Sequence, residues 1–207
     1  MWKLICGICL TLCVTTMADD TPPKSTVSVH SCGRLRHGVV AIGGETTGTT
    51  ITFNRIIWEL QLNDADAREF AKRHHKKTVM VTGSLRKISG IEAKDRWIID
   101  VKMLSEHDAT KDKEGAQLSI QGTLQAEDPR HGDSSSMTVV VGDHVWPIDL
   151  TSDSKLQFQA DSLVGQPVLL TGSLEQVTKT ESAAGPVIVR AKTLKRIAIA
   201  PVQGQSD

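Results

Sequence analysis

The eight residues TVMVTGSL, at positions 78–85, return 89 residues later as PVLLTGSL, at positions 167–174. Three further blocks recur in the same order at spacings of 88 to 90 residues; they begin at Cys32, Trp58 and Trp97 and return at Gln121, Trp146 and Val187. Four ordered matches at nearly one spacing are typical of an internal duplication. The sequence therefore predicts two copies of one unit, at residues 27–106 and 115–200, joined by a polar linker at residues 107–114.

Each copy has the same order of predicted elements. Apolar and polar residues alternate over five segments, which is the pattern of half-buried strands. The predicted strands are 27–35, 49–53, 56–62, 78–85 and 97–104 in the first copy, and 118–124, 137–141, 144–150, 167–174 and 187–194 in the second.

Between the third and fourth strands of each copy, apolar residues at helical spacing predict one short helix. The first helix is expected to start after Asn63-Asp64, and the second to be capped by Thr151-Ser152. In the second helix the expected apolar stripe ends at Val164, and Gly165 ends the helix.

A glycine lies inside the long first strand of each copy, at Gly33 and Gly122. A strand shared by both halves of a small barrel must bend, and glycine permits this. The element order resembles the OB-fold, a five-stranded, partly open Greek-key barrel. The resemblance implies an all-β fold with two tandem five-stranded OB-like barrels, each with one short helix between strands 3 and 4. The chain is also similar to uncharacterised exported bacterial proteins built from OB-like repeats, a resemblance that implies no activity.

Residues 1–18 have the pattern of a secretory signal peptide. A short basic start at Lys3 precedes an apolar run, and the small residue Ala18 lies at the expected cleavage point. The apolar run is too short to span a bilayer. We therefore expect export to the periplasm or the extracellular space, with no membrane span in the mature chain and flexible ends at residues 19–26 and 201–207.

Cleavage would leave Cys32 as the only cysteine of the mature chain. No intrachain disulfide is then possible, although the expected compartment is oxidising. Cys32 lies two residues after His30, so both side chains are expected to project from the same side of the strand. A thiol beside an imidazole is a pair that suits a soft metal, and a metal-binding envelope protein is one alternative function.

Charge and aromatic content argue against nucleic acid as a partner. The chain has 24 basic and 24 acidic residues and no Tyr. OB-folds that bind single strands stack bases on exposed rings, whereas Trp58, Trp97 and Trp146 share strand faces with apolar residues and are expected in the core. The basic run Lys72–Lys77 is interpreted as the last turn of the first helix, stabilised by the helix dipole.

The charges are unevenly divided between the copies. Residues 26–106 carry 13 basic and 9 acidic side chains, whereas residues 115–200 carry 7 basic and 9 acidic ones. This asymmetry is expected to orient the copies relative to each other or to a partner.

The preferred function is a non-catalytic exported binding or interaction module for an unknown polar ligand, a glycan or an envelope protein. In OB-folds the ligand surface includes the first hairpin loop and the loop between the last two strands. These loops are expected at residues 36–49 and 86–96. The candidate ligand-binding residues are Gly43, Gly44, Glu45, Thr46, Thr47, Arg86, Lys87, Lys94 and Arg96.

Catalytic sequence motifs are absent. The chain has no His-Glu-x-x-His, no Gly-x-Ser-x-Gly and no dinucleotide-binding loop. We therefore expect neither enzymatic activity nor a cofactor. A hydrolase whose site is assembled only in space is the remaining alternative.

Overall fold

The computed structural model describes residues 26–40, 46–88, 96–108, 113–126, 137–176 and 187–197. The first half contains β1 (Thr26–Val40), β2 (Thr46–Phe53), β3 (Ile56–Gln61), α1 (Ala65–Arg73), β4 (Thr78–Ile88) and β5 (Arg96–Glu106). The second half contains β6 (Gly115–Ala126), β7 (Met137–Val141), β8 (His144–Asp149), α2 (Ser154–Leu163), β9 (Pro167–Gln176) and β10 (Val187–Arg196). The described ranges contain two helices, α1 and α2, and neither is long and apolar enough to cross a membrane.

The first five strands close into a barrel. β1 pairs antiparallel with both β2 and β4, and it changes partner at Arg34, which is paired with Thr52 and with Thr78. β2 pairs antiparallel with β3, and β4 with β5. The parallel pairing of β3 with β5, at Leu60 and Ile99, completes the ring. The prediction of an all-β, OB-like fold is confirmed at this level: a closed five-stranded barrel accompanied by two helices.

The strands of the second half pair in the equivalent order. β6 pairs antiparallel with β7 and β9, β7 with β8, and β9 with β10, while β8 and β10 are parallel. The two halves are joined edge to edge because β1 also pairs antiparallel with β6, with Val29 opposite Leu118. The indole rings of Trp97 and Trp146, one from each half, lie 4.8 Å apart.

Apolar strand residues form the core of each half. Leu35, Ile51 and Phe53 are fully buried in the first half, and the Phe53 ring meets Trp58 edge to face at 4.9 Å. This geometry is the one that aromatic pairs prefer. The expectation that Trp58 and Trp146 are core residues is confirmed, and Trp97 is partly buried against the same core.

Glycines mark the places where strands cross closely inside each half. A Cβ on Gly33 would lie 2.5 Å from the carbonyl oxygen of Thr52, and a Cβ on Gly122 would clash with the carbonyl oxygen of Val140. These two glycines occupy the position where the sequence predicted a bend. The close approach supplies the physical reason, since any side chain would have to displace backbone.

Both helices lie where they were predicted, but the cap of the second helix was assigned wrongly. Asp64 caps α1, accepting a hydrogen bond from the Ala67 N–H at 2.6 Å. α2 is capped by Asp153, which accepts from the N–H groups of Lys155 and Leu156, and not by Thr151-Ser152. The hydroxyl of Thr151 instead donates to Asp149 at 2.6 Å.

The end of the second helix also differs from the prediction. Val164 was placed in the buried stripe, but α2 ends one residue earlier and Val164 is 42% exposed. Gly165 follows in a left-handed conformation, with φ of 78°, as expected of a residue that stops a helix.

The first hairpin is longer than predicted. The predicted loop 36–49 is mostly strand, because β1 continues to Val40 and β2 begins at Thr46. The pairing passes irregularities near Gly38 and Gly48, both of which have positive φ. Glycines taken as loop signals are therefore positions where the ladder shifts register and continues.

Candidate functional site

A group of basic side chains covers one end of the first barrel. The N–H of Leu35 in β1 donates to the carbonyl oxygen of Lys77, and the N–H of Lys76 donates to the carbonyl oxygen of Leu35, both at 2.8 Å. The turn between α1 and β4 is thereby held against β1, and the Nε of Arg34 donates to the carbonyl of Lys76 at 3.3 Å. Arg34 and Arg36 alternate with the buried Leu35, so both are exposed. We call Arg34, Arg36, Lys76 and Lys77 the cationic surface.

Two histidines stiffen this region. The backbone N–H of His37 donates to the Nδ1 of His75 at 3.1 Å, and the Nδ1 of His37 lies 2.8 Å from the hydroxyl of Thr49. These contacts join β1, β2 and the α1–β4 turn. The positions of the basic side chains are therefore supported by bonds from three elements.

The cationic surface differs electrostatically from the other basic side chains of the barrel. Arg86 pairs with Asp100 at 2.8 Å, and Arg96 pairs with Glu59 at 3.3 Å. Within the described ranges, no carboxylate lies within 4 Å of the basic groups of the cationic surface. An external anion can thus bind here without breaking an internal ion pair.

The cationic surface borders the outer face of β2 and β3. Arg34 lies opposite Thr52 in β2, and Thr52 lies opposite Ile57 in β3. The side chain of Ile57 is 65% exposed. This face of an OB-fold is the one that commonly carries ligands, and here it combines cations, a hydroxyl and an apolar side chain.

The second half repeats the backbone of this region without its charge. The N–H of Leu124 donates to the carbonyl of Gln166 at 3.1 Å, and the N–H of Gly165 donates to the carbonyl of Leu124 at 2.8 Å. These bonds are equivalent to those of Leu35 with Lys77 and Lys76. The residues equivalent to the cationic surface, 89 positions later, are uncharged: Thr123, Gln125, Gly165 and Gln166.

Part of the interpretation of the basic run is corrected. Lys72 and Arg73 do form the last turn of α1, but the helix is capped at His74. Lys76 and Lys77 lie beyond it, and Lys76 has a left-handed φ of 67°. The end of the run therefore belongs to a turn against β1 and not to the helix. Sequence reasoning missed this surface, although the sequence contained a signal for it: the first copy has basic residues in β1 and in the basic run, and the second copy has none at the equivalent positions.

The candidate ligand-binding residues are only partly described. Gly43, Gly44, Glu45 and Lys94 lie outside the described residues, as do the side chains of Thr46 and Thr47 in β2. The pairing of β4 with β5 brings the strand positions of Arg86, Lys87 and Arg96 together. Arg86 and Arg96 are engaged in the ion pairs given above, and the Lys87 ammonium lies 5.8 Å from the centre of the Trp97 ring.

The two residues of the predicted metal pair have different partners. The Nδ1 of His30 lies 3.2 Å from the hydroxyl of Thr82. Cys32 is only 3% exposed, and its Sγ lies 3.1 Å from the Nδ1 of His107. Among the residues that the structure describes, no group of three or more His, Cys, Asp or Glu side chains is arranged to hold a metal ion.

One carboxylate of the second half has a perturbed acidity. Hydrogen bonds from the hydroxyl and the N–H of Thr151 hold the pKa of Asp149 below its ordinary value of 3.8, and the Arg190 guanidinium contributes further. Burial opposes this shift. The ionised Asp149 therefore stabilises the corner between β8 and α2.

Solved structures of other proteins share this fold. The crystal structure of the wild-type single-stranded DNA-binding protein from Thermus aquaticus matches 87% of this chain and 97% of its own, with 14% identity and a TM-score of 0.51. A deletion mutant of the same protein matches with 13% identity, 87% and 99% coverage and a TM-score of 0.52. No protein-family model and no curated protein sequence matches the chain. At such identities the likeness establishes an OB-like fold.

This finding corrects two sequence-based predictions. The chain was expected to be an exported module for an unknown polar ligand, and nucleic acid was disfavoured as a partner; the similar structures are single-stranded DNA-binding proteins. Zero net charge does not exclude an anionic partner, because net charge is averaged over the chain while the basic residues of the cationic surface are grouped. A low aromatic content does not exclude such a partner either, because contacts to phosphates need cations and not rings.

Proposed function

We propose that this chain binds single-stranded nucleic acid and that the cationic surface contacts its phosphates. The observation that carries the proposal is the comparison of the halves: one backbone arrangement bears four basic residues in the first half and none in the second. Basic side chains that form no ion pair within the described ranges can supply the sequence-independent part of nucleic-acid affinity. The similar solved structures are of a single-stranded DNA-binding protein, which agrees with this partner.

A single strand suits the described surface better than a duplex. Ile57 is exposed beside Arg34 and Thr52, so an apolar contact is available within reach of the cations. The bases of a single strand can turn their faces towards such a side chain, whereas those of a duplex are stacked on one another. Single-strand preference is therefore part of the proposal.

We also propose that the chain consists of two tandem OB-like barrels with divided roles. Support comes from the equivalent strand pairings, from one helix in each half, and from glycines 89 residues apart at the same crossings. Gly83 and Gly172 repeat the pattern of Gly33 and Gly122, since a Cβ on either would clash with a carbonyl oxygen of the neighbouring strand. The first barrel binds, and the second supports it through the β1–β6 pairing.

Export remains a proposal that rests on residues 1–18, which lie outside the described residues. Sequencing the N-terminus of the protein recovered from the producing cell tests it. A first residue at or near Asp19 supports cleavage, and an intact leader contradicts it. The absence of catalytic activity likewise stays a prediction.

The test of nucleic-acid binding uses fluorescence anisotropy with a labelled oligothymidine of about 16 nucleotides, the upper range for one OB-fold. Replacing all four residues of the cationic surface with Ala should weaken binding at least about tenfold, because most phosphate contacts are lost. A duplex of equal length should bind more weakly than the single strand. Failure of the wild-type chain to bind at low salt would refute the proposal.

The matched control removes the same charge from the second half. Its four substitutions, all at exposed residues, are Lys155→Ala, Lys192→Ala, Lys195→Ala and Arg196→Ala. We expect at most about a twofold change in affinity, since only long-range attraction is lost. Equal losses in the two variants would mean that net charge, and not the cationic surface, controls binding.

A reciprocal variant transfers the charge to the second half, with Thr123→Arg, Gln125→Arg, Gly165→Lys and Gln166→Lys. Lysine can adopt the left-handed backbone of position 165, as Lys76 does with φ of 67° against 78° at Gly165, although the substitution introduces backbone strain. This variant should bind the oligonucleotide more tightly than the wild type. Unchanged affinity would show that the backbone arrangement does not suffice to present phosphate contacts.

A further inference from the structure

Three side chains with donor atoms that suit copper lie near one another on the outer face of the first barrel. Cys32, on β1, is buried, and its Sγ lies 3.1 Å from the Nδ1 of His107, which follows β5. Met80, on β4, is directly opposite Cys32 in the antiparallel ladder. The Cβ atoms of directly opposed residues are about 4.5–5.5 Å apart, so the thioether is within reach of the thiol.

A cavity gives access to this group. Its volume is about 380 Å³, and both Cys32 and Met80 line it, together with Lys113 and Gly115 where the chain enters β6. Cys32 is opposite Gly115 in the β1–β6 pairing. A small ion can thus reach the sulfur through the cavity, although the cysteine is covered from bulk solvent.

The spacing of the thiol and the imidazole is close to that of two ligands on one metal. A metal bound at about 2.3 Å from sulfur and about 2.0 Å from nitrogen, at a tetrahedral angle, holds these atoms about 3.5 Å apart. The observed 3.1 Å requires a separation of a few tenths of an ångström.

The donor set selects the metal. Thiolate and thioether sulfurs are the ligands that favour Cu(I), and imidazole also suits copper. Structural zinc requires four ligands from Cys, His, Asp and Glu, and the described residues contain no group of even three of these arranged for a metal. A site with two sulfurs and one nitrogen therefore suits Cu(I) better than it suits structural zinc.

We propose that Cys32, Met80 and His107 form a Cu(I) site. On binding, Cu(I) replaces the proton of the Cys32 thiol, which leaves to solvent, and no atom changes oxidation state. The site differs from the predicted pair because His107 takes the place of His30. It is specific to the first half, since the residues 89 positions after Cys32, Met80 and His107 are Gln121, Leu169 and Arg196, of which none is a soft ligand.

The test measures Cu(I) affinity by competition with a chromophoric Cu(I) chelator under anaerobic, reducing conditions. The full chain is used with the three cysteines of residues 1–18 replaced by serine, so that Cys32 is the only thiol. We expect one Cu(I) per chain. Cys32→Ser should abolish Cu(I) binding. Met80→Leu and His107→Gln should each weaken Cu(I) affinity at least about tenfold, because removing even a residue that only supports a metal ligand lowers metal affinity by about that factor.

Two control variants and a spectroscopic measurement complete the test. Met103→Leu removes an exposed methionine of β5, and His30→Gln removes the histidine of the predicted pair; neither should change Cu(I) affinity. X-ray absorption of the copper-loaded chain should give sulfur and nitrogen ligands together. Absence of Cu(I) binding, binding unaffected by Met80→Leu and His107→Gln, or tighter binding of Zn(II) than of Cu(I) would each overturn the proposal. Circular dichroism of every variant identifies any that fails to fold.

Discussion

Replacing Gly33 with Ala tests whether the first barrel is closed as tightly as its backbone indicates. The new Cβ would lie 2.5 Å from the Thr52 carbonyl oxygen and 3.1 Å from side-chain carbons of Ile51 and Phe53, whereas ordinary contact begins at 3.4 Å. The carbonyl belongs to β2, which is paired on both sides, so relief requires β1 and β2 to separate by nearly an ångström.

The expected cost follows from two opposing effects. Overpacking a core by one methyl group destabilises a protein by about 1–3 kcal/mol. Alanine restricts the unfolded chain more than glycine does, and this effect stabilises the folded protein by about 0.4–1 kcal/mol. Taking the middle of each range, about 2 kcal/mol against about 0.7 kcal/mol, the net loss in the free energy of unfolding should be about 1.3 kcal/mol, equivalent to about 3–5 °C in Tm for a chain of this size. Gly122→Ala, whose Cβ would come still closer to a carbonyl, should cost at least as much.

The assay is urea unfolding monitored by tryptophan fluorescence, because Trp58 and Trp146 lie in the cores of the two halves. Thr123→Ala is the control: its side chain points away from the core beside Gly122, and the loss should stay within about 0.5 kcal/mol. A midpoint for Gly33→Ala equal to or above that of the wild type, with an unchanged slope, would refute the close approach of β1 and β2.

Three further outcomes are expected. The logarithm of the oligonucleotide affinity should fall against the logarithm of salt concentration with a slope of about −2.8 for four phosphate contacts, and of about −1.4 after Arg34→Ala and Arg36→Ala, as measured by anisotropy titrations; equal slopes would contradict the assignment. The pKa of Asp149 is lower in the folded chain than its ordinary 3.8, so the stabilisation by ionised Asp149 is complete above pH 3.8 and is lost as the pH falls through the folded-state pKa. Asp149→Asn should therefore weaken the loss of unfolding free energy at acid pH. An unchanged pH dependence of the unfolding free energy would refute this. Asp153→Ala should cost about 1 kcal/mol through loss of the α2 cap, whereas Ser152→Ala, outside the cap, should be neutral in the same urea titration.

The arrangement of strands could be predicted from the sequence because the duplication presents each strand twice. β7 lies where it was predicted, at Met137–Val141; seven of the other strands extend further at one or both ends, and β3 and β8 each end one residue earlier. Strand ends are harder to place because backbone pairing continues where apolar alternation stops. Gly38 is an example: it was interpreted as part of a loop, but β1 passes through it to Val40.

The cap of α2 shows a different limit. Thr151, Ser152 and Asp153 are all residues that cap helices well, so composition alone does not choose among them. Asp149 accepts hydrogen bonds from the hydroxyl and the N–H of Thr151, so Thr151 is engaged before the helix and Asp153 caps it. That contact depends on where β8 ends, which local sequence does not specify.

The cationic surface could not be predicted from the sequence for a related reason. Arg34 and Lys76 are 42 residues apart and are joined through backbone groups, whose bonding is independent of side-chain type. No sequence pattern of side chains predicts such a backbone contact. The soft-ligand group of Cys32 and His107, which spans 75 residues, was hidden in the same way.

Backbone bonding also explains how one architecture can carry a function in one half only. The contact between β1 and the α1–β4 turn requires a left-handed residue and two carbonyl oxygens, and Lys76 meets the first requirement as Gly165 does, with some backbone strain. The side chains at these positions point to solvent and contribute little to folding, so either half tolerates charge or its absence. Changes at the glycine crossings, in contrast, would disturb the barrel itself. A duplicated unit of this kind is therefore expected to keep its crossings alike and to differ at its solvent-facing turns, and that is where the cationic surface and its uncharged counterpart are found.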